Sequence, residues 1–98
     1  MEDLMALVKS KLKITWEDED TNFELEKLLE DATETLTFKL GLDEEFDFTE
    51  PSQERRLFLN YCLYAYNDME NKFDKAYFNE IMQIRIKHEV EDYLQFGE

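Results

Sequence analysis

Residues 55–70 read RRLFLNYCLYAYNDME, and the spacing of their apolar side chains governs how the rest of the chain is read. Phe58, Tyr61, Cys62, Ala65 and Met69 recur at three- and four-residue intervals and form one helical face, while Leu59, Leu63 and Tyr66 form a second. Only Gln53, Arg56, Asn60, Asn67 and Asp68 are left to make a narrow polar strip. A helix apolar over most of its girth is packed on several sides, so this segment, about 50–71, is expected to be the central helix of its domain. In so small a domain, part of that coverage is expected to come from another subunit.

Upstream, Thr49 or Glu50 can cap this helix, because Pro51 is tolerated only in a first turn. The preceding LDEEFDFTE (42–50) carries five acids and two Phe, and reads as a loop whose aromatics tuck under a bundle. Before it, Thr21 and Glu24 make a capping box that starts a helix with the stripe Leu25, Leu28, Leu29, Ala32, Leu36 and Leu40; Gly41 stops it. A short first helix, about 3–13, is expected from Leu4, Met5, Val8 and Leu12, with Asp3 as N-cap and Lys9, Lys11 and Lys13 toward its C-terminal end. Between the two lie Trp16 and the acidic run Glu17-Asp18-Glu19-Asp20, read as a loop.

Downstream, Asn71-Lys72-Phe73 breaks the pattern and Asp74 caps a fourth helix, about 75–94. Tyr77, Ile81, Ile84 and His88 line one side of it; Phe78, Met82, Ile86, Val90, Tyr93 and Leu94 spread over the rest. Ile84-Arg85-Ile86 alternates like a strand for three residues, but helix is the reading kept. The chain is therefore expected to be all-α, a single domain over 1–98 built as a bundle of about four helices around an apolar third.

Composition agrees. Eight Phe, five Tyr and 43% apolar residues argue against disorder, and two Gly with one Pro are too few to punctuate an all-β chain. Cys62 is alone, so no internal disulfide is expected. The longest apolar run, 61–66, is far short of a membrane span, and the N-terminus is acidic before it is basic, unlike a secretory signal. A soluble cytoplasmic protein with no membrane partner is expected.

The formal charge of −14 is unevenly spread: net −11 before Pro51 and −3 from it onward. With Arg55-Arg56 the only adjacent basic pair, a surface that neutralises phosphates is not expected. An acidic globule can still imitate DNA for a basic partner, or form a wall that DNA slides past. Solubility alone is the plain alternative.

Catalytic and metal chemistry find little support. Asp18, Asp20 and Asn22 have the one-three-five spacing of a calcium loop, as do Asp43, Glu45 and Asp47, but Phe23 and Phe48 stand where the loop needs Gly. Cys62 lies in YCLYAY, an apolar pattern that suits an inert buried thiol. His88 is the only histidine, and suits an interface or partly exposed helix position. No phosphate loop or nucleophile elbow is present, so no enzyme, cofactor or metal is expected. Tyr61, Tyr64, Tyr66 and Tyr77 suit core first and an interface second.

The order of elements, with LVKSKLKI, an acidic turn, LEKLLEDATETLTFKLG, an acidic loop bearing a Pro, and RRLFLNYCLYAYNDME, resembles the small head-tail connector, or head-completion, proteins of tailed bacteriophages. The resemblance spans roughly residues 4–94 and rests on diffuse hydrophobic patterns. It implies a helical bundle that assembles into a homo-oligomeric ring beneath the portal protein and meets another neck or tail-completion protein. DNA passes through such a ring without specific binding. It also implies a place in the virion neck, assembled in the bacterial host cytoplasm. It carries over no catalytic residue.

Closed rings need two different complementary patches per subunit. Trp16, Tyr64, Tyr77, Ile81, Ile84 and His88 are the candidate subunit or portal contacts. Glu17, Asp18, Glu19, Asp20, Asp43, Glu44, Glu45 and Asp47 are the candidate acidic loops facing the DNA channel. The alternative function is an acidic DNA-mimic inhibitor of a nucleic-acid-binding enzyme, disfavoured here because the acids are read as clustered in loops.

Overall fold

The computed structural model describes residues 4–16, 18–44 and 46–96. The expected cap Asp3 and the acids Glu17 and Glu45 lie outside the described residues. The chain runs α1 (Leu4–Leu12), α2 (Glu19–Lys39), α3 (Gln53–Tyr66), a 3-10 turn (Glu70–Lys72), α4 (Phe73–Ala76) and α5 (Phe78–Phe96). No strand occurs among the described residues, so the chain is all-α. Ile84–Ile86 is helical.

Helix α3 is the centre, as its two apolar faces require. It packs on both α1 and α2, and within it only Arg56 and Tyr66 are exposed. Leu57, Phe58, Tyr61 and Cys62 are buried among Val8 of α1, Leu25, Ala32, Leu36 and Leu40 of α2, and Phe73, Ile81 and Ile84 further on. Each large apolar side chain so buried stabilises the fold by about 2 kcal/mol relative to exposure. The 42–50 loop closes one end: Phe48 stacks at 4.7 Å on Phe58, and Phe46 meets Phe48 edge-on.

Helix starts differ from the sequence expectation by one cap each. Asp18, not Thr21, caps α2; its carboxylate accepts from the Thr21 amide at 3.2 Å and from the Thr21 hydroxyl at 3.0 Å. A carboxylate is the stronger acceptor at a helix N-terminus, so it takes the capping role and Thr21 becomes part of the first turn. Ser52, not Thr49 or Glu50, caps α3, accepting from the Arg55 amide at 3.0 Å. Thr49 is held in a tight turn by Asp47 instead, and Pro51 lies before the helix rather than inside it.

Three helix ends share one device. Ile14 N–H donates to Lys9 O, Leu42 N–H to Thr37 O and Met69 N–H to Tyr64 O, each spanning a left-handed residue: Lys13 (φ 62°), Gly41 (φ 66°) and Asp68 (φ 57°). This is the Schellman arrangement, and glycine serves it at only one of the three ends. The Asp68 stop ends α3 at Tyr66, five residues short of the expected 71. The expected single fourth helix is broken at Tyr77, where the backbone leaves helical geometry (φ −117°, ψ 21°) while the 73-to-77 and 77-to-81 hydrogen bonds persist. The break lets Phe73 enter the core, ringed by Tyr61, Tyr64 and Tyr77 at 4.9–5.8 Å.

The molecule measures 52 × 30 × 18 Å, with a radius of gyration of 14.5 Å. A compact chain of this length would have about 13 Å. Beyond His88 the described side chains of α5 (Glu89, Val90 and Glu91) are all exposed, so that helix outruns the bundle.

Candidate functional site

Helix α5 carries two apolar stripes, and the fold uses one. Ile81 and Ile84 point into the core, joined by half-buried Tyr77 and His88. The second stripe, Phe78, Met82, Ile86 and Val90, repeats every fourth residue along about 18 Å of helix and is exposed throughout. Phe38, at the end of α2, is 81% exposed and meets this stripe in a groove shared with Phe78, Ile81, Met82 and Arg85. Arg85 fixes that junction: its Nη1 donates to the carbonyls of Phe38 (3.3 Å) and Lys39 (2.8 Å), the C-terminal end of α2, where a cation suits the helix dipole. Lys39 in turn pairs with Asp74 at 2.8 Å.

This corrects the candidate contacts. Ile81 and Ile84 are consumed by the chain's own core. Tyr64 and Tyr77 are half-buried in the aromatic cluster around Phe73. His88 is bound within the chain to Glu54. Of the six, Trp16 alone stays exposed, its indole N–H donating to Thr21 Oγ1 at 3.3 Å. The apolar surface on offer is the other face of the same helix. Both faces are visible as periodic stripes in the sequence, and nothing local says which is turned inward.

The acids are also redistributed. Asp18 is a helix cap, and Glu19 and Asp20 belong to the first turn of α2 rather than to a loop. With Asp18 as cap and Asp20 and Asn22 in the helix, the 18–22 segment does not form the arc of a calcium loop. Asp43, Glu44 and Asp47 do lie in the 42–50 loop. Hydrogen bonds from the Thr49 hydroxyl and amide hold the Asp47 carboxyl below its usual range.

Helix α2 itself exposes seven carboxylates: Glu19, Asp20, Glu24, Glu26, Glu30, Asp31 and Glu34. At 100° per residue they fall within an arc of about 160°, opposite Leu25, Ala32 and Leu36. They span about 22 Å of axis at a mean spacing of about 4 Å, against 3.4 Å for a single DNA strand, with Lys27 the one cation inside the arc. The acids are thus concentrated along a helix face, which corrects the expectation that they cluster in loops. The apolar period of α2 could have revealed this, because residues out of phase with Leu25, Ala32 and Leu36 must face water.

Among the described residues one carboxylate is buried. Glu54, in the first turn of α3, is 3% exposed; its Oε2 lies 2.8 Å from Lys87 Nζ and 2.7 Å from His88 Nε2. An ionised carboxylate only accepts, so His88 donates through Nε2. Burial alone would raise the Glu54 carboxyl, but the hydrogen bonds from Lys87 and His88 outweigh it and hold the carboxyl below its ordinary range. Phe46 packs edge-on against the His88 ring at 5.9 Å. In the sequence Glu54 looks like any other acid. Cys62 is buried, and burial pushes its thiol up to about 12, which suits packing rather than nucleophilic attack.

No helix among the described residues is long and apolar enough to cross a membrane. Comparison of the chain with protein-family models, with curated proteins and with solved structures finds no match.

Proposed function

We propose that this protein is a structural assembly subunit: a head-tail connector of a tailed bacteriophage that forms a homo-oligomeric ring beneath the portal protein and carries a further neck or tail-completion protein. Its place is the virion neck, reached by assembly in the host cytoplasm, and it is not an enzyme. The observation that carries the reading is the exposed α5 stripe with Phe38. An apolar surface of this regularity is characteristic of chains that bury it against a partner. The acidic face of α2 supplies the second requirement of a connector, a wall whose field extends about 8 to 10 Å at physiological salt and repels DNA. In this reading α2, with Asp43, Glu44 and Asp47 beside it, faces the channel.

Electron microscopy of the purified chain mixed with a portal ring tests it. The expected result is an added ring of density on the portal, lost in Ile86→Glu. A portal that stays bare at saturating chain would overturn the reading. A second reading, a DNA mimic that occupies the groove of a basic nucleic-acid-binding enzyme, is favoured by the strand-like charge density of α2. Stoichiometric inhibition of such an enzyme, relieved by Glu30→Lys together with Glu34→Lys, would put it first.

A further inference from the structure

A groove of about 950 Å³ runs between the outer face of α2, from Glu30 to Phe38, and the segment that follows the stop at Gly41. Glu30, Glu34 and Phe38 recur at every fourth residue along one wall, so the two carboxylates stand one turn, about 6 Å of axis, apart and the ring follows a turn later. Leu42 and Glu44 belong to the opposite wall. The groove is thus an apolar strip, Phe38 with Leu42, between carboxylates on both sides. Among the described residues no basic side chain lines it, and none of the three carboxylates has a cation partner. Arg85 passes beside Gly41, but its guanidinium is taken up by the Phe38 and Lys39 carbonyls. Thr33, on the same wall, is bonded within α2, its hydroxyl donating to the Leu29 carbonyl at 2.8 Å.

These features select the chemistry of an occupant. Carboxylates without cations attract positive charge, and repel nucleic acids and acidic peptides alike. Among the described residues no three acidic, histidine or cysteine side chains gather closely enough to hold a metal ion, so the charges here match cations spread along a chain rather than a single ion. Walls so open, with Phe38 81% exposed, do not enclose a small molecule, which a binding site ordinarily covers over most of its surface. A chain segment that continues past both ends needs no such enclosure. Arginine suits the groove better than lysine, because its planar fork meets two carboxylate oxygens at once and its face lies well on an aromatic ring.

We propose that this groove binds an arginine-bearing apolar segment of another protein, with aliphatic side chains on Phe38 and Leu42 and guanidinium groups on Glu30, Glu34 and Glu44. The carboxylates of α2 outside the groove draw such a segment in without touching it, so association is fast and falls with salt. The proposal does not rest on the connector reading: the groove serves a connector that carries a further protein and a DNA mimic seated on a basic enzyme alike.

Fluorescence anisotropy of a labelled peptide of arginine and leucine pairs, about twelve residues long, tests it by titration with the full chain from about 1 to 500 μM in about 0.05 M salt. The expected result is saturable binding, absent when glutamate replaces arginine in the peptide. Glu34→Gln together with Glu44→Gln is expected to weaken it at least about tenfold, and Phe38→Ala about three- to fivefold. Glu19→Gln together with Glu24→Gln removes the same charge from outside the groove and is expected to weaken it less than about twofold. All five positions are exposed, so helical circular dichroism should not change.

Equal losses in the two charge pairs would mean diffuse attraction to an acidic protein and would overturn the groove. So would an affinity untouched by Phe38→Ala, displacement of the peptide by spermine as readily as by unlabelled peptide, or no binding at the highest concentration. A portal that stayed bare while the peptide bound would sink the connector reading alone.

Discussion

Glu54 sits in the first turn of α3 with one oxygen shared between Lys87 and His88, both from α5, so it ties the last helix to the central one. Glu54→Gln keeps the shape and removes the charge, and is expected to cost about 1.5 to 3 kcal/mol in urea denaturation at pH 7, the range for hydrogen bonds to a charged group. Because the folded carboxyl is held below its unfolded range, the stabilisation is fully present above the unfolded pKa and is lost as pH falls through the folded value. The gap between variant and wild type should therefore begin to narrow as pH falls below the ordinary carboxylate value, about 4.3, and close below the lowered folded value. A gap that persists undiminished at pH 3 would show that shape, not charge, is what matters at this position. Nothing in the sequence sets this acid apart from the other 24, because its burial depends on where α5 crosses α3.

Helix ends are where the chain carries conformational cost. Lys13 and Asp68 hold left-handed backbone that glycine adopts freely. Lys13→Gly is expected to stabilise by about 0.5 to 1 kcal/mol, and Asp68→Gly by less, since Asp tolerates this region better. Gly41→Ala should destabilise by about 1 kcal/mol or more. A methyl there meets only the Arg85 side chain at 3.9 Å, an ordinary contact, so the backbone and not crowding sets the loss. Thermal melts of the three variants, ranked against wild type, check the order. Gly41 could be read as a stop from its type; Lys13 and Asp68 could not, because the pull that holds them left-handed comes from the Schellman hydrogen bonds around them.

A net charge of −14 on a molecule 52 Å long makes self-repulsion a property of the whole. The ion pairs Lys39–Asp74, Arg56–Glu80 and Lys87–Glu54 engage three of the 11 basic residues and three of the 25 acids. Arg56–Glu80 and Lys39–Asp74 lie at the surface, where such pairs contribute about 0 to 1 kcal/mol each. Screening should therefore relieve more repulsion than it weakens attraction. The melting temperature is expected to rise between about 0.02 and 0.2 M salt, where the Debye length shortens from tens of ångströms to under 10 Å. A falling melting temperature would mean that the ion pairs dominate.

The amino-acid pattern was sufficient for the helical class, for α3 as the centre, for the stop at Gly41 and for Phe48 entering the core, because each follows from local periodicity or from one residue's conformational range. It also contained the acidic face of α2, which periodicity implies once α2 is known to begin at Glu19. It could not say which stripe of α5 turns inward, since Ile81 and Ile84 are no more apolar than Met82 and Ile86. That choice is made by the break at Tyr77 and by the anchors Phe73, Arg85 and Glu54, which rotate the helix until one stripe meets the core and the other meets water. Rotation about a helix axis is set by contacts distant in the chain, and so it appears only when the elements are assembled.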